Sequence, residues 1–200
     1  MNGTPTDRLG VERFADKAPR PWNNGHGSTR ELARRLLGVV GPDFVWRISV
    51  AEVTDEVELS TFHGVQRTVM PVHGGGMTLD VDGVAHTVAP FETFRFDAEA
   101  RVFARPDDGA VQILNVMTKS ARMVAHIDVV DLRVGAHSIA GATSWVQLTG
   151  SASVHTTDDR QADLAPLDTL VPRPRVRVLH GTGRGAVVRM TNYRAYHATA

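Results

Sequence analysis

The sequence predicts an all-β protein built from a duplicated β-sandwich or small-barrel unit, on three observations. Short runs rich in Val, Ile, Thr and Phe lie between 18 glycines and 10 prolines scattered along the 200 residues, the pattern of many short strands. Asp82-Gly83 between two such runs is a two-residue hairpin signal, because both central positions must take positive φ. At an offset of 76 positions two stretches of the chain fall into register, the mark of an internal repeat.

In order, Val45 to Val53 reads as a strand, with Trp46, Ile48 and Val50 alternating against Arg47, Ser49 and Ala51. Val65 to Val72, Met77 to Val81, Val84 to Val88 and Val111 to Met117 read likewise, parted by Gly74-Gly75-Gly76, Asp82-Gly83 and Asp107-Asp108-Gly109. Ser28-Thr29-Arg30-Glu31 is a formal helix capping box ahead of Leu32, Leu36 and Leu37. Because Leu32, Arg34 and Leu36 also alternate, that segment stays open between helix and strand. At the offset of 76, Val88-Ala89-Pro90-Phe91-Glu92-Thr93-Phe94 lies over Leu164-Ala165-Pro166-Leu167-Asp168-Thr169-Leu170, and Arg101-Val102 over Arg177-Val178. Gly109-Ala110-Val111 likewise lies over Gly185-Ala186-Val187. Residues 65–117 and 141–193 therefore read as two copies of one unit. The implied division is an N-terminal half, 1–120, carrying an N-terminal loop segment, and a C-terminal half, 121–200, together one compact body.

Composition narrows the function classes. Lys plus Arg and Asp plus Glu each number 22, so the formal charge is zero, which argues against non-specific nucleic-acid binding. No apolar run is long enough to span a membrane, and Met1 to Gly10 lacks the apolar core of a signal peptide. With no cysteine, disulfides, thiolate metal sites and cysteine nucleophiles are excluded together. The expectation is a cytoplasmic protein.

Several motifs, in order, resemble the HutD/Ves family. They are Pro21-Trp22-Asn23-Asn24-Gly25-His26-Gly27-Ser28-Thr29-Arg30-Glu31, Trp46-Arg47-Ile48-Ser49-Val50-Ala51 and Leu59-Ser60-Thr61-Phe62-His63-Gly64-Val65-Gln66-Arg67-Thr68. Gly74-Gly75-Gly76-Met77-Thr78-Leu79 and Leu114-Asn115-Val116-Met117 follow, so the set covers Pro21 to Met117. The chain departs from the family pattern at His26, Leu59 and His63, where Gly, Phe and Pro are usual. The resemblance implies a duplicated cupin-like (RmlC-like) fold, a bicupin. It also implies a link to histidine utilisation, with binding of a pathway intermediate such as urocanate or a formylated glutamate, and it attaches no firm enzymatic activity.

The residues themselves favour binding over catalysis. Many cupins hold a metal with a His-x-His pair, a glutamate and a distant histidine, yet none of the nine histidines here is spaced one residue from another. No Gly-x-Ser-x-Gly elbow surrounds Ser28, Ser49 or Ser60, and Glu52, Asp55, Glu56 and Glu58 read as a solvated hairpin tip. Arg47 shares a strand face with the small Ser49 and Ala51. Turned into a barrel, it needs an anion: a bound carboxylate, or an internal Glu31, Glu52 or Glu58. Arg67 faces the same choice. Asn115, among Val111, Ile113 and Met117, must be hydrogen-bonded, either to a ligand or to a loop backbone. The glycine-broken loop from Trp22 to Thr29 presents Asn24 and Thr29 as donors, or serves only as a plug. The expected ligand site is thus Asn24, Thr29, Arg47, Ser49, Arg67 and Asn115, taking a small carboxylate-bearing metabolite, with no metal or other cofactor, no nucleic acid and no membrane. A homodimer stays open. The competing reading is an atypical cupin enzyme, an isomerase or hydrolase using a metal or a His/Glu acid–base pair.

Overall fold

Alternating apolar and polar residues become strands along most of the chain in the computed structural model, which describes residues 9–36, 44–119, 123–135, 137–156, 161–172 and 176–192. No α-helix occurs among them, Leu132–Val134 forms a 3-10 turn, and no helix is long and apolar enough to cross a membrane.

Residues 18–125 form one unit. Its strands are β2 (Arg20–Pro21), β3 (Gly27–Leu36), β4 (Phe44–Val53), β5 (Val57–Glu58), β6 (Val65–His73), β7 (Met77–Val81), β8 (Val84–Val88), β9 (Phe94–Asp97), β10 (Val102–Pro106) and β11 (Val111–Lys119). They make two antiparallel sheets, ordered β2-β3-β4-β11-β6-β9 and β5-β10-β7-β8. The sheets share one apolar core, with Val53, Val69, Ile113 and Phe96 from the first against Met77, Leu79, Val102 and Ala104 from the second. The segment left open between helix and strand is strand: β3 pairs with β4 along its length, with register shifts between Glu31 and Ala33 and between Arg35 and Leu36. Thr29 and Glu31 thereby join the sheet, and the capping-box pattern is incidental. Asp82 and Gly83 take φ of 51° and 87° and close the β7–β8 hairpin.

Residues 126–190, with 9–17, form a second unit. It contains β1 (Val11–Glu12), most of β12 (Met123–Asp131), β13 (His137–Ser138), β14 (Ser144–Thr149), β15 (Ala152–Thr156), β16 (Gln161–Leu164), β17 (Thr169–Leu170), β18 (Val176–Gly181) and most of β19 (Arg184–Asn192). Residues 9–17, expected with the N-terminal half, belong here because β1 pairs with β17 and Leu9 and Val11 enter this core. The sheet orders, β12-β19-β14-β17-β1 and β13-β18-β15-β16, reproduce β4-β11-β6-β9 and β5-β10-β7-β8 of the first unit.

The repeat is visible down to single hydrogen bonds. Phe91 and Leu167 both sit in the left-handed region, at φ of 66° and 67°. The Phe91 amide donates to the Pro71 carbonyl and the Leu167 amide to that of Gln147. Glu92 accepts from the Ala89 amide at 3.2 Å and Asp168 from the Ala165 amide at 3.0 Å. The single gapless offset nevertheless does not hold throughout: Met77 faces Val88, while Ala152, 75 positions after Met77, faces Leu164. Val69 faces Asn115 across the sheet, while its counterpart Trp145 faces Val187, 72 positions on. The turn from Pro106 to Val111 is longer than that from Gly181 to Arg184, so Gly109-Ala110-Val111 does not lie over Gly185-Ala186-Val187.

Candidate ligand-binding site

On β4, Arg47, Ser49, Ala51 and Val53 turn to the interior of the first unit, as a two-residue period requires. The register carries that face across the sheet, with Ser49 beside Asn115 and Asn115 beside Val69, and with Arg47, Met117, Arg67 and Phe96 in the next row. One end of the face is the apolar core; the other end, holding Arg47, Ser49, Arg67 and Asn115, borders a cavity of about 430 Å³. Of the six expected residues, Asn24, Thr29, Arg47, Arg67 and Asn115 line it, while Ser49 is fully buried behind the lining.

Arg67 is 4% exposed. Its Nε donates to Asn115 Oδ1 at 3.1 Å and its guanidinium lies 5.8 Å from the centre of the Phe96 ring. No carboxylate of the described residues pairs with it. Burial, and secondarily the charge of Arg47, pull its pKa down to about 10. The hydrogen bond also holds Asn115, whose Oδ1 is engaged by Arg67 and whose side chain lines the cavity. Asn115 is thus held by a side chain, neither reading a backbone loop nor standing alone.

Arg47 does have an acid, with Nε 3.1 Å from Glu31 Oε2, which settles the choice among Glu31, Glu52 and Glu58. The contact is out of line for a hydrogen bond, so the buried Nε–H is unfilled. Burial pushes the Arg47 pKa down and Glu31 opposes this. Glu31 is shared, its other oxygen lying 3.3 Å from Arg34 Nε. Ser49 Oγ, buried on the same face, also lacks a partner. Thr29 Oγ1 accepts from Trp22 Nε1 at 2.8 Å, and Trp22 packs against the apolar core. Gly27 permits this, since a Cβ there would stand 2.8 Å from the Trp22 ring and 2.3 Å from the Glu52 carbonyl oxygen.

Sequence reasoning missed Arg20, Glu58, Leu59, Ser60, Phe62 and Met117 in the lining. Met117 was legible, two residues from Asn115 on one strand face; Glu58 was read as part of a solvated tip, and it is indeed half-exposed and paired with Arg101 at 2.9 Å. No three His, Asp or Glu residues among those described converge as metal ligands. Among the described residues the second unit has no such polar row: Thr143 stands in place of Arg67 and its hydroxyl accepts from the Met190 amide. Val187 replaces Asn115, and Trp145 and Gln147 fill the interior, hydrogen-bonded to each other.

The chain is 32% identical over 148 residues to an uncharacterised 21.2 kDa protein of the hutC 3' region of Pseudomonas putida, covering 73% of this chain and 75% of that one. Protein Ves of Citrobacter koseri is 34% identical over 112 residues, which span 55% of this chain and 58% of Ves. The structure of HutD from Pseudomonas fluorescens SBW25 matches with a TM-score of 0.71 at 26% identity, over 91% of this chain and 97% of that one. A cupin conserved-barrel protein of Leptotrichia buccalis, 11% identical with a TM-score of 0.55 over 90% of this chain and all of that one, shares the fold alone. The fold is therefore all-β and cupin-like. With the HutD family model matching residues 15–188, the chain belongs to the HutD family.

Proposed function

We propose that the first unit binds a small carboxylate-bearing metabolite, without catalysis, in an accessory or regulatory role in histidine utilisation. One observation carries the binding: Arg67 is a buried cation with no acidic partner among the described residues. Burying an uncompensated charge is costly, and an anion seated on it removes that cost. The surroundings suit a carboxylate, because the Arg67 guanidinium and the Asn115 amide offer donors on one side of a cavity large enough for a metabolite. The pathway assignment rests on the relatives, one named for the hutC 3' region and another named HutD.

The test is Arg67→Ala, assayed by calorimetry and thermal shift against carboxylates. Loss of a charged hydrogen-bonding partner is worth about 1.5–3 kcal/mol, or roughly ten- to a hundred-fold in Kd. A variant that binds carboxylates as the parent does would retire the reading. Because the mouth is open to solvent, wild-type affinity should also fall with added salt.

A further inference from the structure

We propose that this cavity reads a second group on its ligand: beside the carboxylate on Arg67 and Asn115, a neutral acceptor oxygen, carbonyl or hydroxyl, taken by Arg47 and Ser49. The proposal rests on the carboxylate reading above and adds the chemistry of the rest of the ligand.

Among the described residues, two buried side-chain polar atoms lack a hydrogen-bond partner, Arg47 Nε and Ser49 Oγ. They occupy successive interior positions of β4, Ser49 in the cross-strand row of Asn115 and Arg47 in that of Arg67. Buried polar atoms are nearly always satisfied, so two orphans side by side mark a place where a ligand atom completes the set. Both are donors, Arg47 only and Ser49 optionally, so the group they take is an acceptor. Its charge follows from the ion pairs. Arg67, with no acid among the described residues, takes the anionic end; Arg47 already has Glu31 at 3.1 Å and needs no second negative charge. A neutral oxygen fits there and a second carboxylate, facing Glu31, does not.

Spacing sets the ligand's length. Ser49 and Asn115 are cross-strand neighbours, and adjacent strands lie about 4.8 Å apart, so the two oxygens belong to groups a few bonds apart. Both orphan atoms are sealed by packing, so the acceptor reaches them when the Arg47 side chain turns. That movement breaks no hydrogen bond at Nε, and Arg34, 3.3 Å from Glu31, remains to hold the acid.

Three carboxylates of nearly one shape test this on the intact chain by calorimetry. Levulinate carries a ketone oxygen, isocaproate a methyl group in its place, and succinate a second carboxylate. Levulinate should bind about ten-fold more tightly than isocaproate, although isocaproate is the more apolar, and more tightly than succinate. Ser49→Ala should bring the levulinate-to-isocaproate ratio toward one. Isocaproate binding as well as levulinate, or succinate binding best, overturns the second subsite and leaves the carboxylate reading standing. If none of the three binds, both readings fall. A Ser49→Ala protein with a shifted Tm and an unchanged ratio makes Ser49 structural and overturns its assignment; the comparison of ligands on the wild-type chain needs no variant to fold.

Discussion

Arg67 concentrates the chemistry of the site in one side chain. Its folded pKa of about 10 lies below the ordinary 12.5, so between those values the unfolded chain binds more protons than the folded one. Stability attributable to Arg67 must therefore rise with pH across that window, and at neutral pH its charge opposes folding. Arg67→Met should accordingly stabilise the ligand-free protein, by about 1–4 kcal/mol if it behaves like other buried ions replaced by apolar residues, and so raise its Tm, while carboxylate binding is lost. A melt of that variant below wild type would show that Arg67 is stabilised by contacts beyond Asn115 and Phe96. The same titration sets the pH profile of binding: affinity should stay level through neutral pH and decline as Arg67 loses its proton near pH 10. Calorimetry across that range checks it, and a fall centred near pH 7 would assign the site to another group.

The Ala-Pro turns show how one local design carries different weights in two places. In both copies an acidic side chain accepts the amide of the alanine three residues earlier. Glu92 is exposed and does little else, whereas Asp168 is 3% exposed and also receives the Phe14 amide and Arg13. Asp168→Asn should cost about 2–3 kcal/mol, since it unpairs a partly buried cation and weakens the attachment of β1. Glu92→Gln should stay within about 0.5 kcal/mol, as surface changes do. Denaturant melts of the pair separate burial from turn chemistry; equal losses would mean that the turn bond itself dominates. At the start of β3, Gly27→Ala should displace the Trp22 ring, because the added carbon overlaps it and the Glu52 carbonyl. A red-shifted Trp emission and weaker carboxylate binding are the expected readouts, and an unchanged spectrum would mean that the loop yields without moving the ring.

At the scale of the molecule, the two units share a strand order but differ in what fills their interiors. The second fills with Trp145, Gln147 and Val187 the space where the first holds Arg67 and Asn115. Each chain should therefore bind one carboxylate ligand. A calorimetric stoichiometry of two would place a second site outside the first unit's cavity.

The all-β class, most strand positions, the Asp82-Gly83 turn and the repeat were legible in the sequence, because strand alternation and turn residues are local properties of the chain. So was the face shared by Arg47, Ser49 and Ala51, which follows from a period of two. Other features depend on which strands become neighbours. Ser28 to Glu31 satisfies a helix cap and an alternating strand equally well, and only pairing with β4 selects the strand. Residues 9–17 lie beside the first unit in sequence but pair with β17 through contacts more than 150 positions away. The offset of 76 breaks where one turn is shorter than its counterpart, which register reveals and residue matching conceals. Above all, the sequence offered Arg47 and Arg67 the same two fates, an internal acid or a ligand. Tertiary structure separated them by bringing Glu31 to Arg47 and, among the described residues, no carboxylate to Arg67, because ion pairing is decided by distances between strands and not by spacing along one.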